Sequence, residues 1–228
     1  MSEQSFQLHY KTITIYGDWE KPVPVVYFHS FQKEGEQVWD ECKRLSVPQF
    51  YLVEISGEGW NRDLSPWAAE ALFPGEEKME GRAPAWLSIL TDEIIPQVEQ
   101  RIQVTHRVIA GYSLAGLFAY WAIYNTSVFD SVISCSASFW YPDFMEYVKE
   151  HAFPRKPLTA YFSIGNKESK VKNAVMQTTE PNTRFLQHTL ESEGIASVFE
   201  LNNGNHFVQS EWRVAKGIQW TLRTLKRL

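Results

Sequence analysis

The sequence has little cysteine, no blocks of like charge and no long apolar run. Only Cys42 and Cys135 are present among 228 residues, and they do not form a C-x-x-C pair. That spacing excludes a cysteine zinc knuckle and a disulfide framework. Both lie in or beside apolar runs, so they are expected to be buried free thiols, which fits a reducing compartment. No stretch approaches the ~18 consecutive apolar residues that a membrane helix requires. The opening segment MSEQSFQLHYK has neither the basic n-region nor the apolar h-region of a signal peptide. The net charge is -5 with no basic block to offset it, which argues against a nucleic-acid partner. Internal repeats and low-complexity segments are missing as well. Together these absences lead to the expectation of a cytoplasmic chain with no membrane partner and no nucleic-acid partner.

What is present is ordinary globular composition with a surplus of aromatics. Hydrophobic residues make 44% and charged residues 21% of the chain, which suits one domain spanning 1–228 with a sizeable core. Nine Trp, ten Tyr and fourteen Phe are present. Several of them fall outside the regular patterns, at Trp60, Trp67, Trp86, Phe139, Trp140 and Tyr141. Aromatics in such positions line pockets more often than those in regular core.

Patterning along the chain alternates strand and helix. FQLHYKTITIYG reads as one strand near a sheet edge, VPVVYFHS and FYLVEIS as buried strands, and GEQVWDECKRL between them as a helix. A long irregular stretch follows, GEGWNRDLSPWAAEALFPGEEKMEGR, with a short helix expected around Trp67 to Leu72. Stretches of this length without regular structure are usually functional. APAWLSILTDEIIPQVEQRIQ has helical periodicity with a kink expected at Pro96. Strand HRVIAG, helix LAGLFAYWAIYN, strand FDSVISCSAS and a short helix with Pro142 in its first turn come next. Strand LTAYFSIG, one or two helices ended by Gly194, strand IASVFELN, loop NGNHFV and an amphipathic C-terminal helix complete the chain. The rhythm predicts an α/β fold, a doubly wound and mostly parallel sheet with helices on both faces. Ligand sites in such sheets lie beyond the carboxyl ends of the strands.

One corner of that alternation carries chemistry. Gly111-Tyr112-Ser113-Leu114-Ala115 stands directly after a strand and directly before a helix. It fits the nucleophile elbow G-x-S-x-G, with Ala at the last position. A turn that sharp strains the serine and needs small residues two before and two after it, and Gly111 and Ala115 both qualify. The bare alternative is a small-residue corner with no chemical role. An activated serine needs a base, and His206 stands in LNNGNHF, after the last strand and before the last helix. That is where the order Ser…acid…His puts the base. His9 and His29 precede the serine, His106 opens its own strand, and His151 and His188 fall on helical faces. Glu168, just after the strand ending near Gly165, is the candidate acid, with Asp143 as runner-up. A Ser-His dyad without a side-chain acid is the remaining option. The oxyanion would take one amide from Leu114 and one from the loop YFHSFQ, at Phe31 or Ser30.

These pieces resemble the esterase branch of the α/β-hydrolases, the esterase D-like group that includes enterobactin esterases. The similar segments are WNRDLSP, LTDEIIPQVEQ, HRVIAGYSLAGLFAYW, SCSASFWY, FSIGNKESK and GNHF, in the family's order across roughly residues 20–225. The resemblance implies Ser113 as nucleophile, His206 as base and Glu168 as acid. It also implies that Arg62 contacts a polar acyl group and that Phe139 and Trp140 line the pocket; Trp60, as an aromatic of the irregular WNRDLSPW loop, is expected to shape the pocket with them. This chain departs from the family's usual Gly at Ala115, and its length leaves little room for a lid. The expected activity is hydrolysis of a small-molecule carboxylic ester with no cofactor and no metal. An acyltransferase, a thioesterase on the same residues or a catalytically inert binding protein on the same fold is the alternative.

Overall fold

A computed structural model describes residues 3–72, 75 and 77–228. Ten strands are assigned there: β1 (Glu3–Leu8), β2 (Lys11–Tyr16), β3 (Val23–His29), β4 (Tyr51–Gly57), β5 (Ala68–Ala69), β6 (Met79–Glu80), β7 (Val104–Tyr112), β8 (Ser131–Cys135), β9 (Thr159–Gly165) and β10 (Ala196–Asn202). The helices are α1 (Gly35–Arg44), α2 (Trp60–Asp63), α3 (Ala83–Ile89), α4 (Ile95–Glu99), α5 (Leu114–Asn125), α6 (Phe144–Glu150), α7 (Ala174–Gln177), α8 (Thr179–Ser192) and α9 (Ser210–Leu225). Eight strands form one sheet in the order β1-β2-β4-β3-β7-β8-β9-β10. β1 and β2 pair antiparallel, as do β2 and β4; every pair from β4 to β10 is parallel. The doubly wound, mostly parallel α/β architecture is therefore as expected.

Period-2 alternation builds the two cores. On β3, Val25 and Tyr27 face one side of the sheet, while Val26 and Phe28 face the other. The first side is covered by α3, α4, α5, α6 and α8, through residues such as Trp86, Ile95, Phe118, Phe144 and Leu186. The second is covered by α1 and α9, through Val38, Trp39 and Cys42 and through Val214, Ile218 and Leu222. Those helix residues recur at three- and four-residue steps, the stripe that one buried helix face needs. Helix α5 is different: every residue from Leu114 to Tyr124 is buried. It follows the strand β7 without a break and runs through the middle of the first core.

Several local expectations are corrected. FQLHYKTITIYG is not one strand but a hairpin, because His9 turns at φ 53° and Glu3 pairs with Tyr16 while Leu8 pairs with Lys11. The short helix expected at Trp67 to Leu72 is absent, because Ala68–Ala69 pairs as a strand with Met79–Glu80 and the Trp67 ring docks on Tyr141, Phe144 and Tyr147. Phe73, Pro74 and Glu76 of the same stretch lie outside the described residues. In place of a kink at Pro96, residues Leu90–Ile94 form a π-helical turn and Pro96 enters the first turn of α4. Proline has no N–H to bond back along the helix, and the wider turn absorbs that defect. Pro142 precedes α6 rather than entering it, with Asp143 at the N-cap.

The sharpest packing constraint falls at the end of β7. A Cβ on Gly111 would lie 2.2 Å from the backbone carbon and oxygen of Ala115. Neither atom can move without unwinding the first turn of α5. Gly111→Ala is therefore expected to lower stability by about 3 kcal/mol or more, the upper end of overpacking costs. The shift of the urea midpoint against wild type measures it.

Candidate active site

The carboxyl ends of the parallel strands meet around one cleft of about 730 Å³. Ser113 follows β7, Ser136 and Trp140 follow β8, Glu168 follows β9, and His206 stands between β10 and α9. Phe31 and Trp60 come from the segments after β3 and β4. All seven line the cleft. Residues far apart in sequence converge because each ends a strand of the same sheet.

Ser113 adopts φ 58°, ψ -124°, a region that costs a non-glycine residue roughly 1–3 kcal/mol. Its N–H bonds the carbonyl of Cys135 at 3.0 Å, and its own carbonyl takes the N–H groups of Leu117 and Ser138. The backbone is held in the strained state from both sides. The hydroxyl Oγ lies 3.1 Å from His206 Nε2, and His206 Nδ1 lies 2.8 Å from Glu168 Oε2. Asp143 is exposed at the start of α6, φ 61°, and makes no bond to His206.

The other oxygen of Glu168 is enclosed. Oε1 accepts from the Gly165 N–H at 2.6 Å, the Ser136 hydroxyl at 2.8 Å and Arg213 Nη1 at 2.8 Å. A Cβ on Gly165 would come within 2.9 Å of the Gly204 carbonyl, Glu168 and Arg213, so only glycine permits this approach. Arg213 is 0% exposed. It also donates to the Tyr112 hydroxyl at 3.0 Å and to the carbonyls of Asn203 and Asn205. The Tyr112 hydroxyl in turn donates to the His206 carbonyl at 2.7 Å. Burial pushes the Glu168 carboxyl up. The hydrogen bond and charge of His206, the Gly165 N–H and the Ser136 hydroxyl outweigh that, and the net shift is downward.

Arg213, Tyr112 and Ser136 escaped the sequence reading. Arg213 sits beside Val214 in an amphipathic helix, where an arginine normally faces water. Glu54 escaped it too, although a glutamate inside the apolar strand FYLVEIS is a visible signal. Its buried carboxylate accepts from the Ser30 hydroxyl at 2.6 Å and the Gly35 N–H at 2.7 Å. That fixes the two ends of the segment carrying Phe31. The Ser30 N–H is committed to the Ile55 carbonyl at 3.0 Å, so of the two amides weighed for that loop only that of Phe31 is open among the described residues. Leu114 is the first residue of α5, where an N–H has no partner within the helix.

Two pocket expectations are corrected. Arg62 does not line the cleft; its guanidinium bonds Asp63 at 2.8 Å and lies 4.4 Å from the Tyr10 ring centroid. Phe139 is 0% exposed and packs in the core against Tyr120, Phe144 and Phe162. Trp60 and Trp140 do line the cleft. His29 lies on the cleft wall, fully buried; desolvation, then the charge of Lys11, pushes it down to about 3. It is a neutral ring that accepts the Trp86 indole N–H at 3.0 Å. Among the described residues no three His, Cys, Asp or Glu side chains form a metal cluster, and no helix is long and apolar enough to cross a membrane.

Residues 12–215 match the family described as "Putative esterase". The chain belongs to that esterase family. Its activity class is that of a carboxylic ester hydrolase. It is 29% identical over 182 residues to the uncharacterized protein YbbA of Bacillus subtilis, covering 75% of this chain and 72% of that one. An IroE-like serine hydrolase of Shewanella oneidensis superposes with TM-score 0.81 at 18% identity, over 97% of the esterase and 80% of that chain. The siderophore hydrolase EstA of Aspergillus nidulans superposes with TM-score 0.75 at 17% identity, over 97% and 94%. These likenesses establish the α/β-hydrolase type of fold.

The downward shift at Glu168 sets a pH dependence. A carboxyl lower in the folded than in the unfolded chain stabilises the fold above its unfolded value, about 4.3 for glutamate, and ceases to do so as pH falls through the folded value. The esterase should therefore lose stability as pH drops below about 4.3, and Glu168→Gln should lose less over the same window. Urea midpoints of both proteins against pH measure the difference in slope.

Proposed function

We propose that the esterase hydrolyses small-molecule carboxylic esters through an acyl-enzyme at Ser113. The observation that carries this reading is the unbroken chain from Ser113 Oγ to His206 Nε2, at 3.1 Å, and from His206 Nδ1 to Glu168, at 2.8 Å, opening into the cleft. His206 takes the serine proton as Oγ attacks the ester carbonyl. Glu168 keeps the ring oriented with Nε2 free to accept, and stabilises the imidazolium that forms. The developing oxyanion accepts from the Leu114 and Phe31 amides, the first at the positive end of α5. His206 then protonates the leaving alcohol. In the second half-reaction it takes a proton from water as the water oxygen attacks the acyl carbonyl, then returns that proton to Ser113 Oγ as the acyl–Oγ bond breaks and the acid is released.

Each supporting group meets a requirement of that sequence. Arg213 and Ser136 hold the Glu168 carboxylate in place, and the Tyr112 hydroxyl anchors the backbone of His206. Glu54 holds the loop that offers the Phe31 amide. Acyl transfer to an alcohol or hydrolysis of a thioester would use the same groups with another acceptor or leaving atom. An inert binding role would leave the strain at Ser113 without a use.

Ser113→Ala is expected to lower kcat/KM on a chromogenic short-chain ester by about 10⁴-fold or more. A fluorophosphonate should label the wild type once per chain and leave the variant unlabelled, as read by intact mass. Full activity in the variant, or no labelling of the wild type, would overturn the assignment.

A further inference from the structure

The charge around the cleft is one-sided. Among the described residues, the charged ones that line it are Glu34, Glu77, Glu168 and Glu211, with no Lys or Arg. Glu168 is compensated by Arg213 and His206. The other three are not: among the described residues none of them forms an ion pair. Each is placed by the fold. The Glu34 carboxylate accepts the Gln32 N–H with both oxygens at 3.0 Å, and Asn61 donates to the Glu77 carbonyl at 2.9 Å. Glu211 sits in the first turn of α9. His29, the remaining lining group besides His206 that could carry positive charge, is held neutral by its burial.

The same cleft presents aromatic faces with no cation of the protein's own. Phe31 and Trp60 meet edge to face at 5.2 Å, and Phe207, 87% exposed, stands edge-on to His206 at 5.3 Å. Trp140 completes the wall. Elsewhere in the molecule Lys11, Arg62, Arg101, Arg184 and Lys216 lie over aromatic rings. Among the described residues none lies over these four. Aromatic faces attract a cation through the ring quadrupole, and carboxylates without an ion-pair partner add a favourable field that salt screens.

We infer that the cleft selects esters whose non-reacting part is an apolar group bearing a positive charge, an alkyl or aryl ammonium, and discriminates against anionic ones. This rests on the assignment of Ser113 as the nucleophile. It also replaces the expectation drawn from Arg62 of a polar or anionic acyl group, since that guanidinium is committed to Asp63 outside the cleft.

The test uses three 4-nitrophenyl esters of matched shape: 4-(trimethylammonio)butanoyl, its uncharged isostere 5,5-dimethylhexanoyl, and the glutarate half-ester. Each kcat/KM is divided by the ester's own rate of buffer hydrolysis. The cationic ester should exceed the uncharged one by about tenfold, and the anionic one should fall below it by a similar factor. The spread should shrink as salt is raised. In a triple variant, Glu34→Gln with Glu77→Gln and Glu211→Gln, the cationic-to-uncharged ratio should fall toward one. Equal rates for the three esters, or preference for the anionic one, in a wild type whose activity Ser113→Ala abolishes would overturn the selectivity and leave the hydrolase assignment standing. Absence of Ser113-dependent cleavage of all three would overturn both.

Discussion

A single buried guanidinium joins the segments that carry Ser113, Glu168 and His206. Arg213 lies on the inner face of α9, fully enclosed, and reaches Glu168 after β9, the carbonyls of Asn203 and Asn205 after β10, and Tyr112 at the end of β7. Without it, Glu168 would be a buried carboxylate with His206 as its only ionisable partner, and the loop carrying His206 would lose two of its anchors. Burying such a pair costs each charge its hydration, and the mutual attraction does little more than offset that loss. The pair is therefore better understood as fixing geometry than as adding stability. Removing one member is another matter, because the survivor stays buried and unpaired. The planar, multi-donor head of arginine suits this role, since one ammonium with three N–H groups could not serve the five acceptors Tyr112, Ser136, Glu168, Asn203 and Asn205.

The second constraint is the strain at Ser113. A residue at φ 58°, ψ -124° persists only where its surroundings leave no alternative. Here β7 lies between β3 and β8 in the sheet, and α5 is buried along its whole length in the core. The turn between them cannot relax without moving one of the two. Gly111 supplies the close approach that allows the turn, and the Cys135 carbonyl takes the serine N–H. The elbow and the acid–base chain thus meet in adjacent residues: Tyr112, bonded to Arg213 and to His206, sits next to Ser113.

Much of this was legible in the sequence, and what was not has physical causes. Apolar alternation on buried parallel strands is strong, so the sheet and its order of helices were readable from periodicity alone. The proximity of Ser113, Glu168 and His206 was readable because each stands just beyond the carboxyl end of a strand of one sheet. The hairpin at His9 was missed because the turn holds no glycine, proline or asparagine, the residues that signal one. Ala68–Ala69 read as helix because alanine favours helix locally, while pairing with Met79–Glu80 and the docking of Trp67 decide the outcome. Phe139 and Trp140 are neighbours in SASFW, yet one is core and one lines the cleft; adjacent residues in an irregular turn point in directions that no periodicity encodes. Arg62 could not be separated from Asp63 by sequence, and the ion pair within that dipeptide turns it away from the cleft.

The uncompensated carboxylates bear on more than the choice of substrate. Ester hydrolysis begins with a neutral bond and ends with a carboxylate, passing through an oxyanion on the way. A negative field at the cleft mouth acts on both charged species. In the proposed mechanism the Leu114 and Phe31 amides would act on the oxyanion at hydrogen-bonding range, whereas Glu34, Glu77 and Glu211 act through solvent and are screened. The short-range donors therefore prevail where the bond breaks. Once the carboxylate product moves away from the amides, the field of the three glutamates disfavours its retention in the cleft. The arrangement separates the two requirements in space: fixed dipoles at the reacting carbon, and like charge along the exit. For a substrate that carries an ammonium, the released acid is a zwitterion: the three glutamates would repel its carboxylate while they and the aromatic wall attract its ammonium, so the same groups would act on selectivity and on release with opposite signs.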